Sequence, residues 1–560
     1  MAEQLELLAD LLEIEGEAAF RVLAYRRAAT RVRETGTPVA QLALDGKAKE
    51  LPGIGATIQD KIVQIVDTGE IEALRKRRKT IPPEVVEFLR IPGLGPKTVR
   101  KIWQELGVTT LAELKAAARE HRLRMLPGLG AKVEENVLKE VGRKKKATGP
   151  PRALLGQALP PLLEAVEELR KHPASDRVSE AGSARRRKET VRDLDIIATA
   201  SDPAALTEFF TQLPWVSEVA AKGPTKATVV SHEGFRFDLR VVPPECYGNL
   251  LQHFTGSKDH NVAMREDAVR RGLSISEYGV TEVETGEVFT AETEEELYER
   301  LGYSYIPPEL RENGGELEAA RKGELPTLVE LGQLRGDLHT HSHWSADGKN
   351  TLAEMVKAAK ARAYAYYAIT DHSHYLREGR MEQQAKEIDR LAKRAAPMRL
   401  LKGVEVNIKA DGTLDVPDEQ LAERDWVVAS IHTAFQRDPT ERVLATMENP
   451  HVHCIGHLTG RKLSRREPMD IDIERVVEKA VETGTFLEIN SQPDRLDLSD
   501  VNARLAGEAG VKIVISSDAH QLKAQNYVEF GVAQARRAWL TADQVANTRT
   551  WAQLRKLMKK

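Results

Sequence analysis

The sequence is poor in cysteine and in aromatic residues. Only two of its 560 residues are cysteines, and aromatic residues make up 5%. Two cysteines far apart in the chain exclude a disulfide framework and a thiolate zinc site, and they fit a reducing cytosol. No apolar run approaches the roughly 20 residues that a membrane-spanning helix needs. The acidic start MAEQLELLADLLEIEGE does not predict a signal peptide, so we expect a cytoplasmic protein with no membrane partner.

The chain also carries little net charge, because 82 Lys and Arg nearly balance 85 Asp and Glu. Its length predicts three or four domains. The charge is uneven, since residues 71–150 hold 19 Lys and Arg against 9 Asp and Glu. A basic segment in a near-neutral protein indicates a polyanion partner. The alternative is that RKRRK (75–79) and RKKK (143–146) are solvated linkers.

A short motif occurs three times, as LPGIGATIQDKI (51–62), IPGLGPKTVRKI (91–102) and LPGLGAKVEENV (126–137). Each copy places two glycines in a tight turn before a segment with helical spacing. The amides at such a helix start can bind a phosphate oxygen. One copy is also typical of an ordinary helix connection, but three copies beside basic runs resemble helix-hairpin-helix motifs that bind the DNA backbone. The predicted DNA-binding residues of these motifs are Gly53, Gly55, Gly93, Gly95, Lys97, Gly128 and Gly130.

Three strand-like runs follow, at 193–200, 226–232 and 235–242. Asp193 and Asp195 are two residues apart in the first run, so their carboxylates face the same side. Asp238, in the third run, is placed to complete a triad. Converging carboxylates are typical of a Mg²⁺ site, and the upstream GSARRR suits a triphosphate, which together indicate phosphoryl transfer. The alternative is an alternating strand with exposed aspartates.

The pattern GS-x-RR…D-x-D resembles the nucleotidyltransferase signature of family X DNA polymerases, to which DNA polymerase beta belongs. HFTGSKDHNVAMR (253–265) is similar to the family's YFTGS…N…MR segment, and AYRRAA (24–29) with the first glycine motif resembles its lyase domain. The resemblance implies that Asp193, Asp195 and Asp238 bind two catalytic ions, Mg²⁺ or Mn²⁺, and that Asp238 helps deprotonate the primer hydroxyl. It also implies nucleotide-binding roles for Gly182, Ser183, Arg186, Phe254, Gly256 and Asn261, and a template-side DNA contact at Arg265.

The sequence departs from this family pattern at several positions. His253 occupies the tyrosine position of YFTGS, and Arg192 replaces a glycine before the first aspartate. Lys61 stands where the family has its lyase Schiff-base lysine, which attacks a sugar aldehyde when its amine is deprotonated. Thr57 and Arg21 replace expected phosphate-binding lysines. A deoxyribose-phosphate lyase activity and an exposed helical lysine are therefore both open readings of Lys61.

The last 220 or so residues alternate apolar strands with helices, which predicts a parallel α/β sheet or barrel. Ten of the 15 histidines lie between residues 339 and 520. In DLHTHSHWSADG (337–348), strand geometry would place His339, His341 and His343 on one face. Most of the histidines and carboxylates that could bind a metal lie at the ends of apolar, strand-like runs, so we expect them at one mouth of the barrel. The candidate ligands for Mn²⁺, Zn²⁺ or Fe²⁺ are His339, His341, Asp347, His372, Glu405, His432, His457, Asp518 and His520.

This second pattern resembles the PHP (polymerase and histidinol phosphatase) domain, a trinuclear phosphoesterase fold. All nine ligand positions of that family are filled, which implies activity with two or three Mn²⁺ and/or Zn²⁺ ions. The resemblance assigns His339, His341, Glu405 and Asp518 to one ion, assigns Glu405 and His432 to a second, and leaves the others unassigned. His343 matches no ligand position, and we expect His374, His451 and His453 to be ordinary residues.

Together the resemblances imply a bacterial family X DNA polymerase with a C-terminal PHP domain. We expect a monomeric, nucleoid-associated repair enzyme that uses deoxynucleoside triphosphates to fill gapped or nicked DNA. Its PHP domain would act as a 3′–5′ exonuclease, a 3′-end-processing enzyme or an abasic-site endonuclease. A DNA-end-binding scaffold with weakened catalysis and a small-molecule phosphatase are the alternatives. The predicted multidomain fold comprises α-helical helix-hairpin-helix domains at 1–80 (lyase-like) and 81–148 (fingers), an α/β nucleotidyltransferase palm at 149–242, a thumb at 243–315, a linker at 316–333 and an α/β PHP barrel at 334–560.

Overall fold

The chain divides into two compact units, Met1–Pro151 and Arg152–Lys560. A computed structural model describes residues 2–34, 39–44, 46–51, 53–68, 71–77, 80–91, 94–126, 129–141 and 152–558. Within these ranges, no helix is long and apolar enough to cross a membrane.

The first unit is helical throughout its described part. Its apolar side chains form one core, and the predicted glycine turns precede three of its helices. Proline at the first position of α7 and a Thr110–Glu113 capping box on α8 fix where those helices begin. Its helices are α1 Ala2–Glu15, α2 Ala19–Glu34, α3 Val39–Leu44, α4 Ala56–Thr68, α5 Glu72–Arg77, α6 Pro83–Glu87, α7 Pro96–Leu106, α8 Leu111–Arg119 and α9 Ala131–Val141.

The second unit begins with a five-stranded sheet in the order β2-β4-β7-β6-β5. Strands β4 and β7 are parallel, and the other neighbours are antiparallel. The three strands predicted in this region form within one residue of their expected bounds. The elements are β1 Ala153–Leu154, α10 Leu155–Arg170, β2 Ser175–Glu180, α11 Gly182–Arg185, β3 Thr190–Val191, β4 Asp193–Ala200, α12 Pro203–Thr211, β5 Val216–Lys222, β6 Lys226–Ser231 and β7 Arg236–Val241.

A smaller subdomain follows, in which helices pack beside a three-stranded antiparallel sheet. Residues 316–333, interpreted from sequence as a linker, contain a helix that begins after Gly315 and ends before Gly323, both in left-handed conformation. The buried Glu316 side chain accepts hydrogen bonds from the amides of Asn313 and Gly314, which explains why this polar stretch is ordered. The elements are α13 Tyr247–Thr255, α14 Lys258–Arg270, β8 Leu273–Ser276, β9 Gly279–Glu282, β10 Val288–Phe289, α15 Glu294–Arg300 and α16 Glu316–Lys322.

Seven parallel strands in sequential order form a nearly closed barrel at the C-terminal end. A parallel bridge between Thr340 and Ala519 joins the loops that follow the first and last strands. The strands are β11 Gly336–Asp337, β12 Tyr366–Ile369, β13 Arg399–Asn407, β14 Trp426–Ser430, β15 Cys454–Ile455, β16 Phe486–Asn490 and β17 Ile513–Ser516. The helices are α17 Leu352–Ala361, α18 Arg380–Ala395, α19 Asp418–Leu421, α20 Thr440–Met447, α21 Ile473–Thr483, α22 Asp500–Glu508, α23 Val528–Arg537 and α24 Trp551–Leu557.

The first barrel strand is only two residues long, which corrects the expectation that His339, His341 and His343 lie on a strand. All three residues belong to the loop after β11. The Nδ1 atom of His343 accepts a hydrogen bond from the Leu352 amide at 3.2 Å, at the start of α17. His343 therefore supports the loop and the following helix, whereas His339 and His341 contact Glu405 and Asp518.

Candidate active sites

The parallel strands β4 and β7 bring the three predicted carboxylates together. Asp195 lies directly opposite Asp238 in the strand register, and Asp193 lies opposite Arg236. The Nε atom of Arg236 is 3.1 Å from an Asp238 oxygen and 3.8 Å from an Asp193 oxygen. Thr228 donates a hydrogen bond to the other Asp238 oxygen. The cluster is therefore held by an arginine of β7 itself and by a threonine of the adjacent strand β6.

Electrostatic repulsion within this cluster is strong. Burial and the carboxylates of Asp238 and Asp193 raise the pKa of Asp195 to about 7. Burial also raises the pKa of Asp193, against the attraction of Arg236. Carboxylates that repel one another in this way are stabilised by a cation between them. The donor set is all oxygen, so it fits a hard divalent ion such as Mg²⁺.

The turn before β4 passes directly beside Asp195. Gly182 has a φ angle of +63°, and a Cβ atom at this position would lie 2.1 Å from Oδ2 of Asp195. Only glycine fits both the backbone conformation and the space. Ser183 and Arg186 follow in the same turn. Arg186 is 11% exposed, and it donates hydrogen bonds to the Thr255 carbonyl at 2.5 Å and to Glu312 at 2.9 Å.

The predicted sugar and base contacts lie around the junction of α13 and α14. Phe254 is partly buried, with the Arg240 guanidinium 4.4 Å from its ring centre. Gly256 lies beside Arg186, because a Cβ atom there would be 3.1 Å from Nη1 of that arginine. Asn261 donates a hydrogen bond to the His253 carbonyl at 2.7 Å.

His253, the departure from the family's tyrosine, is tied to the predicted template contact. The Nη2 atom of Arg265 is 3.1 Å from Nδ1 of His253. Burial lowers the pKa of His253, which favours the neutral imidazole that accepts this hydrogen bond. The histidine thus orients Arg265. Arg192, the other departure, is exposed next to Asp193.

All nine predicted ligands of the barrel converge at the mouth formed by the carboxyl ends of its strands. Their donor atoms form three overlapping groups in which all atoms lie within 4.8 Å of one another: His339, His341 and Asp518; His372, Glu405 and His432; and His341, His372 and His520. Glu405 lies between the first two groups, since its Oε2 atom is 3.4 Å from His339 and 2.6 Å from His372.

The two remaining ligands border these groups. The Nε2 atom of His457 is 3.1 Å from Oε1 of Glu405. Asp347 is half-exposed, and its Oδ2 atom is 3.4 Å from His372 and 3.2 Å from His520. The loops after five of the seven strands, together with the end of β13, therefore supply one continuous set of donors. We place no ligand on β16.

The chemistry of this donor set fits transition-metal ions. Among the described residues, the buried atoms His339 Nε2, His341 Nε2 and Glu405 Oε2 have no hydrogen-bond partner, and buried polar atoms ordinarily have one. Burial lowers the pKa of His341 well below its usual value, so this imidazole is in the neutral, metal-binding form. Imidazole and carboxylate without thiolate suit Mn²⁺, Zn²⁺ or Fe²⁺.

In the helical unit, each described glycine motif has the geometry of a turn followed by a helix. The amides of Ile54, Leu94 and Leu129 close these turns with hydrogen bonds of 3.0 to 3.1 Å. The last glycine of each copy is exposed, and a Cβ atom there would meet no described atom within 4 Å. These glycines are Gly55, Gly95 and Gly130. Gly53 has a φ angle of +89°, whereas Gly93 and Gly128 lie outside the described residues.

Two predicted side chains of this unit are also in place. Lys97 is exposed in the first turn of α7. Lys61 is partly buried on α4, and its Nζ atom is 3.4 Å from Gln64. Thr57 is exposed one turn before it. The lyase role of Lys61 stays a prediction.

Four models of known protein families match parts of the chain. Residues 337–492 match the model of the PHP domain, and residues 250–312 match that of the DNA polymerase beta thumb. Residues 1–71 match a helix-hairpin-helix domain, and residues 85–143 match a SAM-like helix-hairpin-helix tandem. The chain is 40% identical to the DNA polymerase/3′-5′ exonuclease PolX of Bacillus subtilis (strain 168), over 99% of this chain and 98% of that protein.

The chain belongs to the bacterial family X DNA polymerases that carry a PHP domain. Rat DNA polymerase lambda is 26% identical over 56% of this chain and 56% of that protein. A probable phosphatase of Acetivibrio thermocellus is 33% identical over 33% of this chain and 78% of that protein. The expected fold class is confirmed.

Two residues of this family X polymerase that sequence reasoning missed orient the barrel ligands. The Nδ1 atom of His339 is 2.7 Å from Glu488 on β16, and Nδ1 of His432 is 2.6 Å from the side-chain Oδ1 atom of Asn407. Such partners fix which imidazole nitrogen faces the metal. Glu488 carries a sequence signal, because it is an acidic residue inside the apolar run TFLEIN. Asn407 is the last residue of β13 and carries no comparable signal.

Proposed function

We propose that the chain is a repair polymerase that fills short gaps in DNA and processes 3′ ends with its PHP domain. The observation that carries the proposal is the presence of two complete donor sets on one chain. One is the three-carboxylate cluster of β4 and β7, and the other is the set of nine candidate ligands at the mouth of the barrel. Damaged gaps often lack a clean 3′-hydroxyl, so one chain with both sites can clean an end and then extend it.

In the polymerase domain, Asp193, Asp195 and Asp238 would hold two divalent ions, Mg²⁺ or Mn²⁺. When bound, such ions align the primer hydroxyl with the α-phosphate and neutralise developing charge. Asp238 would accept the proton of the primer hydroxyl. The turn of Gly182, Ser183 and Arg186 would bind the outgoing phosphates, because it combines helix-start amides with a guanidinium.

The thumb residues would then position the incoming nucleotide. Phe254 and Gly256 would contact its sugar, and Asn261 would contact the base edge. Arg265, held by His253 at 3.1 Å, would contact the template side. Removal of this contact would relax the position of the templating base without removing any ligand of the carboxylate cluster.

In the PHP domain, the nine ligands would hold two or three Mn²⁺ or Zn²⁺ ions. Ions of this kind generate a hydroxide nucleophile at neutral pH and polarise a phosphodiester. The protein's own residues fix the geometry. Glu405 would bridge two positions, while Glu488 and Asn407 hold the imidazoles of His339 and His432 in one orientation.

The experiment that tests the proposal uses 5′-labelled DNA with a short gap. With Mn²⁺ and no nucleotides, the wild type is expected to shorten the primer, and His341→Ala is expected to leave it intact. With Mg²⁺ and all four nucleotides, the wild type and His341→Ala should extend the primer, and Asp195→Asn should not. A DNA-binding scaffold would give no extension with any variant. Extension by Asp195→Asn at the wild-type rate would remove the polymerase assignment.

The second candidate function is a small-molecule phosphatase in the barrel, favoured by the similarity of 33% to 38% of the chain to probable phosphatases. The same enzyme preparations can be compared on 5′-labelled DNA and on free phosphate esters such as p-nitrophenyl phosphate. We expect the barrel to hydrolyse DNA faster, because the same chain carries DNA-binding motifs. Hydrolysis of the free ester far faster than of DNA, lost in His341→Ala, would favour the phosphatase.

A further inference from the structure

A buried arginine of the barrel contacts the turn of Gly182, Ser183 and Arg186, which we call the nucleotide turn. Arg537 is the last residue of α23, and its side chain is 2% exposed. Its Nη1 atom donates hydrogen bonds to the Arg186 carbonyl at 2.9 Å and to Glu312 at 3.1 Å. Its Nη2 atom binds Asp500, at the start of α22, at 2.5 Å. One side chain thus joins two barrel helices to the turn that carries Arg186.

Glu312 is shared between this arginine and the proposed phosphate-binding residue. The same Oε1 atom of Glu312 that Arg537 contacts accepts a hydrogen bond from Nε of Arg186 at 2.9 Å. Although burial opposes ionisation, the charges of Arg537, Arg186 and Lys188 lower the pKa of Glu312. A charged carboxylate held by a barrel residue therefore fixes the Arg186 guanidinium. A guanidinium that is already ordered loses less conformational entropy when it binds a phosphate.

We propose that Arg537 is a positioning residue for nucleotide binding in the polymerase domain, although it belongs to the PHP barrel. The proposal rests on the proposed role of Arg186 as a phosphate-binding residue. Without Arg537, both the carbonyl of Arg186 and the carboxylate of Glu312 lose their link to the barrel. The incoming nucleotide would then have to order Arg186 itself. The expected consequence is a higher KM for the nucleotide with a smaller change in kcat.

The neighbouring Arg536 provides a matched control. It lies on the same helix and also links the barrel to the end of the thumb, since its Nε atom binds Glu309 at 2.7 Å. Its Nη1 atom donates to the Val329 carbonyl at 3.2 Å. Within the described part of the chain it makes no hydrogen bond to residues 182–189. Loss of Arg536 therefore weakens the same domain contact without releasing the nucleotide turn.

The test is steady-state gap filling on DNA with a one-nucleotide gap, with full-length variants of the protein. We expect Arg537→Met to raise the KM for the nucleotide about tenfold, because the variant loses a charge-assisted hydrogen bond of the network. The kcat should change less than about threefold. Arg537→Lys should recover part of the increase. Arg536→Met should stay within about twofold of the wild-type KM. The Kd for gapped DNA and the 3′–5′ exonuclease rate should be unchanged in Arg537→Met, which shows that the barrel is intact.

Two further variants keep the outcome decisive. Arg186→Ala must itself raise the KM, and if it does not, the proposed role of Arg186 fails before that of Arg537 is tested. If Arg537→Met is unfolded by thermal melting, Glu312→Gln takes its place, because it removes the same charged link with little change of shape. A wild-type KM in a folded Arg537→Met or Glu312→Gln, while Arg186→Ala raises it, overturns the proposal. An equal increase in Arg536→Met overturns it as well, because the effect would then be general to the domain contact.

Discussion

Gly182 allows the nucleotide turn to lie against Asp195, and its replacement gives a sharp test of that contact. A methyl group at Gly182 would lie 2.1 Å from the Asp195 carboxylate, at a φ angle of +63°. We expect Gly182→Ala to lower gap-filling activity by about 100-fold, because the added methyl group displaces either Asp195, a proposed metal ligand, or the nucleotide turn. Gly234→Ala is the control, since Gly234 has φ +87° and no described neighbour within 4 Å of the added carbon. Equal loss in both variants would point to backbone strain alone.

Glu488 makes a residue-scale prediction for the barrel. It accepts a hydrogen bond from Nδ1 of the His339 imidazole at 2.7 Å, and it also accepts one from the His457 amide. We expect Glu488→Gln to weaken metal binding by about 10- to 100-fold, measured as the Mn²⁺ concentration that gives half-maximal exonuclease activity. Primer extension should be unchanged. The exposed Glu482→Gln is the control, and the account of His339 is wrong if both variants need the same Mn²⁺ concentration as the wild type.

The sequence predicts residues whose role follows from their own pattern, and it misses those whose role depends on a distant partner. The three aspartates and nine barrel ligands were predictable because they end apolar runs or repeat at strand spacing. The structure places each group together, although their metal-binding roles stay predictions. Glu312 and Arg537 lie 225 positions apart. No local pattern relates them, because their contact exists only after the barrel and the thumb have folded against each other.

At the scale of elements, the hairpin motifs predict a salt-dependent DNA affinity. If about five phosphates are contacted, the slope of log Kd against log salt has a magnitude of about 4 to 5. Lys97 is exposed in the first turn of α7, so Lys97→Ala should lower that magnitude by about 1. Fluorescence anisotropy of labelled gapped DNA measures the Kd at each salt concentration. The exposed Arg119, at the end of α8, serves as the control, and an affinity that does not vary with salt would contradict the hairpin assignment.

Helix α15 begins with a buried acid that makes the stability of the second unit depend on pH. Although burial opposes ionisation, Arg311 and Arg185 lower the pKa of Glu294 to about 2, with contacts of 2.5 and 2.7 Å. The unfolded value is 4.5, so the stabilisation is present above pH 4.5 and is lost as the pH falls towards 2. It amounts to about 3 kcal/mol.

The measurement is the thermal unfolding temperature at pH 7 and at pH 4. Glu294→Gln should lower it at pH 7, because Arg311 stays buried without its charged partner. From pH 7 to pH 4 the wild type should lose more stability than Glu294→Gln. An identical pH dependence in the two proteins would show that another group dominates.

Elements were predictable where hydrophobic periodicity determines them. Strands β4, β6 and β7 were expected within one residue of where they lie. The loop after β11 was mistaken for a strand because its His-x-His-x-His spacing imitates strand alternation. The helix Glu316–Lys322 was taken for a linker because its order comes from a buried, hydrogen-bonded glutamate rather than from an apolar stripe. In both cases a specific contact outweighs the local pattern.

At the scale of the whole molecule, the chain combines a family X polymerase with a PHP barrel, and the second unit joins the two through partly buried ion pairs. Arg461 of the barrel binds Glu189, which follows the nucleotide turn, and Arg537 binds Glu312. Sequence alone predicted the presence and order of both domains, because each carries its own motifs. It did not predict that they pack as one compact unit, because no motif encodes a domain contact.

The decisive experiment on this protein uses 5′-labelled gapped DNA whose primer ends in a dideoxynucleotide, with all four nucleotides and Mn²⁺ present. The length of the labelled strand is followed over time. We expect the wild type first to remove the blocked nucleotide and then to fill the gap. Asp195→Asn should only shorten the strand, and His341→Ala should leave it unchanged. Extension of the blocked primer by His341→Ala, or no shortening by Asp195→Asn, would contradict the claim that one chain cleans and then extends a DNA end.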